Sequence, residues 1–317
     1  MFYKKTEPQI WSGRKVDPQL GTQYWYQAVE VADLQLPNLT HADIGLLGYA
    51  VDEGVRRNQG RPGAAEGPDH IRQQLAKLAY HLREKKIADF GDIRIAQHTM
   101  EAAQESFAQG ICQLLRQQIF PIGLGGGHDI AYANAKGVLQ YLQEKAPQAV
   151  LGIINLDAHF DLRPVTHQPN SGTPFNQLLS QYPDQVGYFP IGIQRAANPP
   201  MLFELARQWQ VPFIAAEACR DDHITGISSL VADFIDQYDY LYLSIDLDGF
   251  SSTFAPGVSA PSPMGFSPFF AEAIITAITA SKKLISCDLA ELNPIFDQDQ
   301  QTARLVARLI NKIADSL

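Results

Sequence analysis

The stretch Ala149-Val150-Leu151-Gly152-Ile153-Ile154-Asn155-Leu156-Asp157-Ala158-His159-Phe160-Asp161 decides how this chain folds. Its first half is an apolar run, the pattern of a strand buried on both faces of a parallel sheet. Two carboxylates and an imidazole follow where that strand should open into a loop. In open α/β sheets ligands bind at the carboxyl ends of the strands, so the position suits a site. Three polar groups left desolvated there would cost several kcal/mol. A cation removes that cost, and mixed carboxylate and imidazole ligation suits Mn, Zn or Fe better than Ca or Mg.

Outward from this stretch, strands and helices alternate. Upstream, residues 43–51 read as the first buried strand, and 54–63 as a glycine-rich surface turn with no phosphate-loop pattern. A helix begins near Pro68, an amphipathic helix covers 101–118, and 120–124 is a short strand. Gly125, Gly126 and Gly127 then allow a sharp bend that leaves His128 beyond a strand end, before a helix over 130–144. Downstream, 187–193, 211–215 and 240–245 are strands, the last running into Asp246-Leu247-Asp248. Residues two apart in extended backbone share a face, which puts Asp246 and Asp248 together. Loop 255–261 is constrained by prolines and placed to line a mouth. A final strand over 284–287 leads to Glu291, and a helix closes the chain. With no linker or repeat, 1–317 reads as a single doubly wound α/β domain, with 1–40 an irregular N-terminal arm.

Composition narrows the function. A formal charge of -9 without a basic run leaves no footprint for nucleic acid or an anionic membrane. The N-terminus lacks the apolar core of a signal peptide, and no stretch is long and apolar enough for a membrane span. Cys112, Cys219 and Cys287 are odd in number and far apart, which suggests buried free thiols in a reducing cytoplasm.

Three strand ends thus carry His128, then Asp157, His159 and Asp161, then Asp246 and Asp248. Singly, each has an ordinary explanation as a loop histidine or a capping aspartate. Together they converge, because adjacent parallel strands deliver their ends to one crevice. Four aspartates meeting there repel unless cations intervene. Two divalent ions would balance them, which points to hydrolysis by hydroxide generated near neutral pH.

The segments GGGHD (125–129), DAHFD (157–161) and SIDLD (244–248) resemble, in order and spacing, the three metal-binding signatures of the arginase/agmatinase ureohydrolase superfamily. The similarity runs over about 48–294. It implies a three-layer α/β/α arginase-type fold around a mostly parallel sheet of about eight strands. It implies two Mn2+ per subunit, one held by His128, Asp157, Asp161 and Asp246, the other by His159, Asp157, Asp246 and Asp248, with Asp157 and Asp246 bridging. Glu291, in ELNP, matches the glutamate that holds the amidinium-type nitrogen of the substrate.

Within the superfamily, Asn58 to Ala64, the third glycine of GGGHD, Ser171 to Phe175 and Arg195 to Asn198 are similar to the formimidoylglutamase branch. That branch hydrolyses N-formimidoyl-L-glutamate to L-glutamate and formamide in histidine degradation. Phe175 stands where arginases carry a histidine credited with proton shuttling, so that role does not carry over. Gly249-Phe250 replaces the Asp-Pro common in arginases and agmatinases, and Asp129 stands where glutamate is as frequent.

A formimidoylglutamate substrate brings a cationic formamidinium and two carboxylates. Glu291 would orient the amidinium, and Asp161 would carry a proton to the leaving amine. Arg163 and Arg195 are the candidates for forked carboxylate contacts, with Asn170 and Ser171 adding hydrogen bonds. The competing reading is a guanidino-group hydrolase, an agmatinase, arginase or guanidinobutyrase releasing urea; a cationic-tailed substrate would call for acids in place of those arginines. A non-catalytic binding protein retaining the fold is the remaining alternative, disfavoured by a complete ligand set. A homo-oligomer fits the resemblance, although the sequence carries no interface signature.

Overall fold

A computed structural model describes the chain except residues 1–2, 37–38, 83–84 and 96–98. Its strands are β1 (Tyr3–Lys4), β2 (Val29–Val31), β3 (Ile44–Ala50), β4 (Ile87–Arg94), β5 (Phe120–Gly125), β6 (Leu151–Leu156), β7 (Val186–Ile193), β8 (Ile214–Ala215), β9 (Tyr240–Asp246) and β10 (Leu284–Ala290). They form one ten-stranded sheet in the order β1-β4-β3-β5-β10-β9-β6-β7-β8, with β2 also on β4. Among the described residues, β1 is the strand that runs antiparallel to its neighbour.

Alternation along each strand builds two cores. Ile154 and Leu156 of β6, with Leu241, Leu243 and Ile245 of β9, face helices Gly67–Leu75, Ile224–Ile235, Pro268–Ala280 and Gln301–Ser316. Leu151, Ile153 and Tyr242 face helices Met100–Arg116, Ile130–Lys145, Pro174–Gln181 and Pro200–Gln208 on the other side. This is the three-layer arrangement that a sheet buried on both faces requires. Cys112, Cys219 and Cys287 are buried and unpaired.

The sheet exceeds the expected eight strands because the N-terminal segment is not wholly irregular. Lys4 pairs with Asp92, and Val29 to Val31 pair with Ile87 to Asp89, so the segment extends the sheet edge. The strand expected over 211–215 shortens to two residues.

The triple glycine works differently from the expected sharp bend. None of Gly125, Gly126 and Gly127 has a positive φ. They instead let backbones touch: a Cβ on Gly126 would collide with the carbonyl oxygens of Val51 and Tyr49, and one on Gly125 would lie 2.7 Å from that of Leu289. Gly126 N–H donates to Tyr49 O and Gly127 N–H to Val51 O, each at 2.9 Å. Gly126→Ala must therefore push β3 away from the His128 loop. We expect it to lower Tm by the equivalent of about 1–3 kcal/mol.

Candidate active site

Four neighbouring strands, β5, β10, β9 and β6, end at one point of the sheet. The chain beyond β5 supplies His128, beyond β6 Asp157, His159 and Asp161, at the end of β9 Asp246 and just after it Asp248, and beyond β10 Glu291. The crevice lies at the carboxyl ends, where the sheet order reverses.

His128 Nδ1 lies 2.8 Å from Asp161 Oδ2, 3.0 Å from Asp246 Oδ2 and 3.2 Å from Asp157 Oδ2. His159 Nδ1 lies 3.2 Å from Asp248 Oδ2 and 3.5 Å from Asp157 Oδ1. Two groups of ligand atoms result, His128 with Asp157, Asp161 and Asp246, and His159 with Asp157 and Asp248, each within 4.8 Å. Asp157 belongs to both. Asp246 joins the first group only; its Oδ1 accepts the Asp248 N–H at 2.9 Å, which holds the turn after β9. Asp161 and Glu291 are held at φ 48° and 71°, left-handed backbone that non-glycine residues adopt at some cost and that recurs at active sites.

Electrostatics make the cluster unstable on its own. Burial, with the charges of Asp248 and Asp157, drives the Asp246 carboxyl well above its ordinary pKa. Burial pulls the His128 imidazole down, but Asp246, Asp157 and Asp161 outweigh it and raise its pKa well above the usual value. Burial also raises Glu291 to about 8, against the His128 N–H that its Oε1 accepts at 2.9 Å. Asp248 Oδ1 is buried with no hydrogen-bond partner. Bunched hard oxygen donors, two imidazoles and an orphaned carboxylate oxygen are the donor set of a divalent transition metal, so the residues fit manganese.

The cavity above the cluster has a volume of about 310 Å³ and is lined by His128, His159, Asp161, Asp246, Asp248 and Glu291 at its acidic end. Arg163, Ser171, Asn58 and Arg61 line its walls. Arg163 Nη1 donates to Asn58 Oδ1 at 3.1 Å, and Asn58 Nδ2 donates to Ser171 Oγ at 3.1 Å. Two of the expected substrate contacts lie elsewhere. Arg195 lines a separate cavity between β7 and helix Pro200–Gln208, because the Asn198 side chain ties the turn after β7 to Ala158 O and the Phe160 N–H. Asn170 spends its Oδ1 on the Gly172 N–H, shaping the turn that presents Ser171.

The segment 54–63 is also not a surface turn. Glu53–Arg57 is helical, and Asn58 to Arg61 form a wall of the cavity. Arg61 donates to Val258 O at 2.5 Å and Ser259 O at 2.8 Å and covers the Phe296 ring, tying this wall to the proline-rich loop. Glycine content alone pointed the other way; the likeness of Asn58 to Ala64 to one enzyme branch was the available signal. Phe175 is buried, edge-on to His128 and stacked on Tyr188, so it packs the imidazole and carries no proton.

A parallel α/β sheet that gathers acids and imidazoles at one switch point presents a donor set able to hold divalent metal ions. The chain belongs to the arginase family, whose model matches residues 42–314. A formimidoylglutamase of Geobacillus thermodenitrificans is 40% identical over 311 residues, covering 96% of this chain and 95% of that protein. Another, of Aromatoleum aromaticum, is 41% identical, with 96% and 91% covered. A crystal structure of Trypanosoma cruzi formiminoglutamase with Mn2+ matches at TM-score 0.78 and 26% identity, over 89% of this chain and 96% of that one. The Bacillus subtilis formimidoylglutamase shares the fold at TM-score 0.84 and 21% identity, over 96% and 94%. Among the described residues, no helix is long and apolar enough to cross a membrane.

Proposed function

We propose that this hydrolase cleaves N-formimidoyl-L-glutamate to L-glutamate and formamide with two Mn2+ per subunit. The observation that carries the substrate assignment is the polarity of the cavity, acids and Glu291 at one end and Arg163, braced by Asn58, at its wall. A formamidinium suits the first and a carboxylate the second, whereas a cationic tail would meet Arg163 as a like charge.

His128, Asp157, Asp161 and Asp246 would hold one ion, and His159, Asp157 and Asp248 the other, with Asp246 a second bridge by family resemblance. When bound, the pair supplies a hydroxide nucleophile near neutral pH and offsets negative charge developing in the transition state. Glu291 accepts a hydrogen bond from the amidinium nitrogen; that cation favours the ionised carboxylate, opposing the burial that raises its pKa. Asp161 faces the same cavity and carries a proton to the departing glutamate amine. Arg163 and Ser171 fix the carboxylates, so the amidine carbon sits over the acidic end.

Purified protein with Mn2+ should release formamide and glutamate in equal amounts. Urea from agmatine or arginine, with formimidoylglutamate untouched, would sink the assignment. Arg163→Ala removes one charge-assisted contact of about 1.5–3 kcal/mol. KM should therefore rise about tenfold to a hundredfold with kcat nearly kept. Unchanged kinetics would take Arg163 out of the substrate site.

A further inference from the structure

His128 has a second nitrogen, and what it touches is a chain of hydrogen bonds that ends on the Asp288 carboxylate. His128 Nε2 lies 2.9 Å from Ser244 Oγ, and the Ser244 hydroxyl donates to Asp288 Oδ1 at 2.8 Å. Asp288 Oδ2 accepts from the Tyr242 hydroxyl and, at 2.8 Å, from Asn134 Nδ2. The Asn134 amide cannot turn round, because its Nδ2 also faces the Cys287 carbonyl oxygen at 3.3 Å, and an amide oxygen there would meet only acceptors. As an ionised carboxylate Asp288 can only accept, so Ser244, Tyr242 and Asn134 all donate to it and the chain ends there.

Ser244 has one proton, and it goes to Asp288. The Ser244 oxygen can then only accept from His128, which places the imidazole proton on Nε2. The remaining nitrogen, Nδ1, is the one that faces Asp157, Asp161 and Asp246. We propose that Asp288, acting through Ser244, is a positioning residue that fixes the His128 ring and tautomer so that its Nδ1 lone pair is presented to the cation. This rests on the reading of His128 as a metal ligand.

The fold makes room for this carboxylate at some cost. Asp288 and Ser244 are register partners on β10 and β9, and both are fully buried. On the other side Asp288 is opposite Gly123 of β5, where a Cβ would lie 2.8 Å from the Asp288 Cβ. A fully buried carboxylate on a central strand is poor material for stability, since an apolar side chain there avoids its desolvation. A carboxylate that orients a metal-binding imidazole is a known use for such a group.

The test is titration of metal-stripped full-length protein with Mn2+, followed by calorimetry and by the electron paramagnetic resonance signal of free Mn2+. Ser244→Ala and Asp288→Asn should each weaken one of two bound ions by about tenfold to a hundredfold, leaving the other as in the wild type. Ser244→Thr, which keeps the hydroxyl, should restore the weakened ion. Two ions bound as tightly as in the wild type by both Ser244→Ala and Asp288→Asn would overturn the proposal. So would equal weakening of both ions in step with a fall in metal-free Tm, the mark of a merely structural role. Failure of the wild type itself to bind two ions would instead remove the metal reading on which the proposal stands.

Discussion

Asp246→Asn should lower kcat by at least about a thousandfold while raising the Tm of the metal-free protein. The two effects have opposite signs because Asp246 does opposite things in the two states. Without cations it is a buried carboxylate beside Asp248 and Asp157, and its ionised form is disfavoured. The amide keeps the shape and removes the charge, so the metal-free fold gains. With Mn2+ the wild type gains stability by mass action, and the variant, short of a ligand, should lose most of that gain. Thermal unfolding of both proteins, with chelator and with Mn2+, gives all four numbers. A variant less stable than the wild type under chelator would show that Asp246 supports the fold rather than straining it.

The same cluster sets a pH dependence whose sign can be worked out. Asp246, His128 and His159 all have folded-state pKa values above the ordinary ones. A group raised on folding contributes stability that is complete below its unfolded pKa and disappears as pH rises through the folded one. For Asp246 the loss starts above about pH 4, and for the histidines above about 6.5. Metal-free protein should therefore lose Tm steadily from pH 5 to pH 8.5, and Asp246→Asn should show a shallower loss.

How far the sequence foretold these features depended on whether neighbours in the chain supplied the reason for them. The strands carrying the acid and imidazole cluster were legible because Val150 to Leu156 and Tyr240 to Ile245 are largely apolar runs that end in acids, a pattern visible within each segment. His128, Asp157 and Asp246 could be placed together because parallel strands deliver their ends to one side. The Arg195 side chain could not be placed, since the Asn198 cap that turns it into another cavity joins separate segments. Ser244 and Asp288 were invisible for a similar reason; their partnership exists only through the β9–β10 register. The sequence reading also left out β4, whose residues Ile87-Ala88-Asp89-Phe90-Gly91-Asp92-Ile93-Arg94 look too polar for a buried strand. What lets its two aspartates be buried is an arginine from the preceding helix.

Arg72→Met should accordingly destabilise the protein by about 3–5 kcal/mol, an effect on stability without any contact to the active site. Arg72 lies on helix Gly67–Leu75, fully buried, and donates Nη1 to Asp92 Oδ1 at 2.6 Å and Nη2 to Asp89 Oδ1 at 2.9 Å. The same Nη2 reaches Gly91 O at 3.0 Å, and Trp11 Nε1 donates to Asp89 Oδ2 at 2.7 Å. Methionine fills similar space but leaves buried Asp89 with neutral donors only and buried Asp92 with Arg94 alone. Removing one partner of a buried ionic network costs far more than replacing the whole, because the orphaned charge stays desolvated. One consequence separates this account from simple loss of packing. Adding Asp89→Asn and Asp92→Asn to Arg72→Met should recover part of the lost Tm. A deficit that grows with the added amides would assign Arg72 to packing.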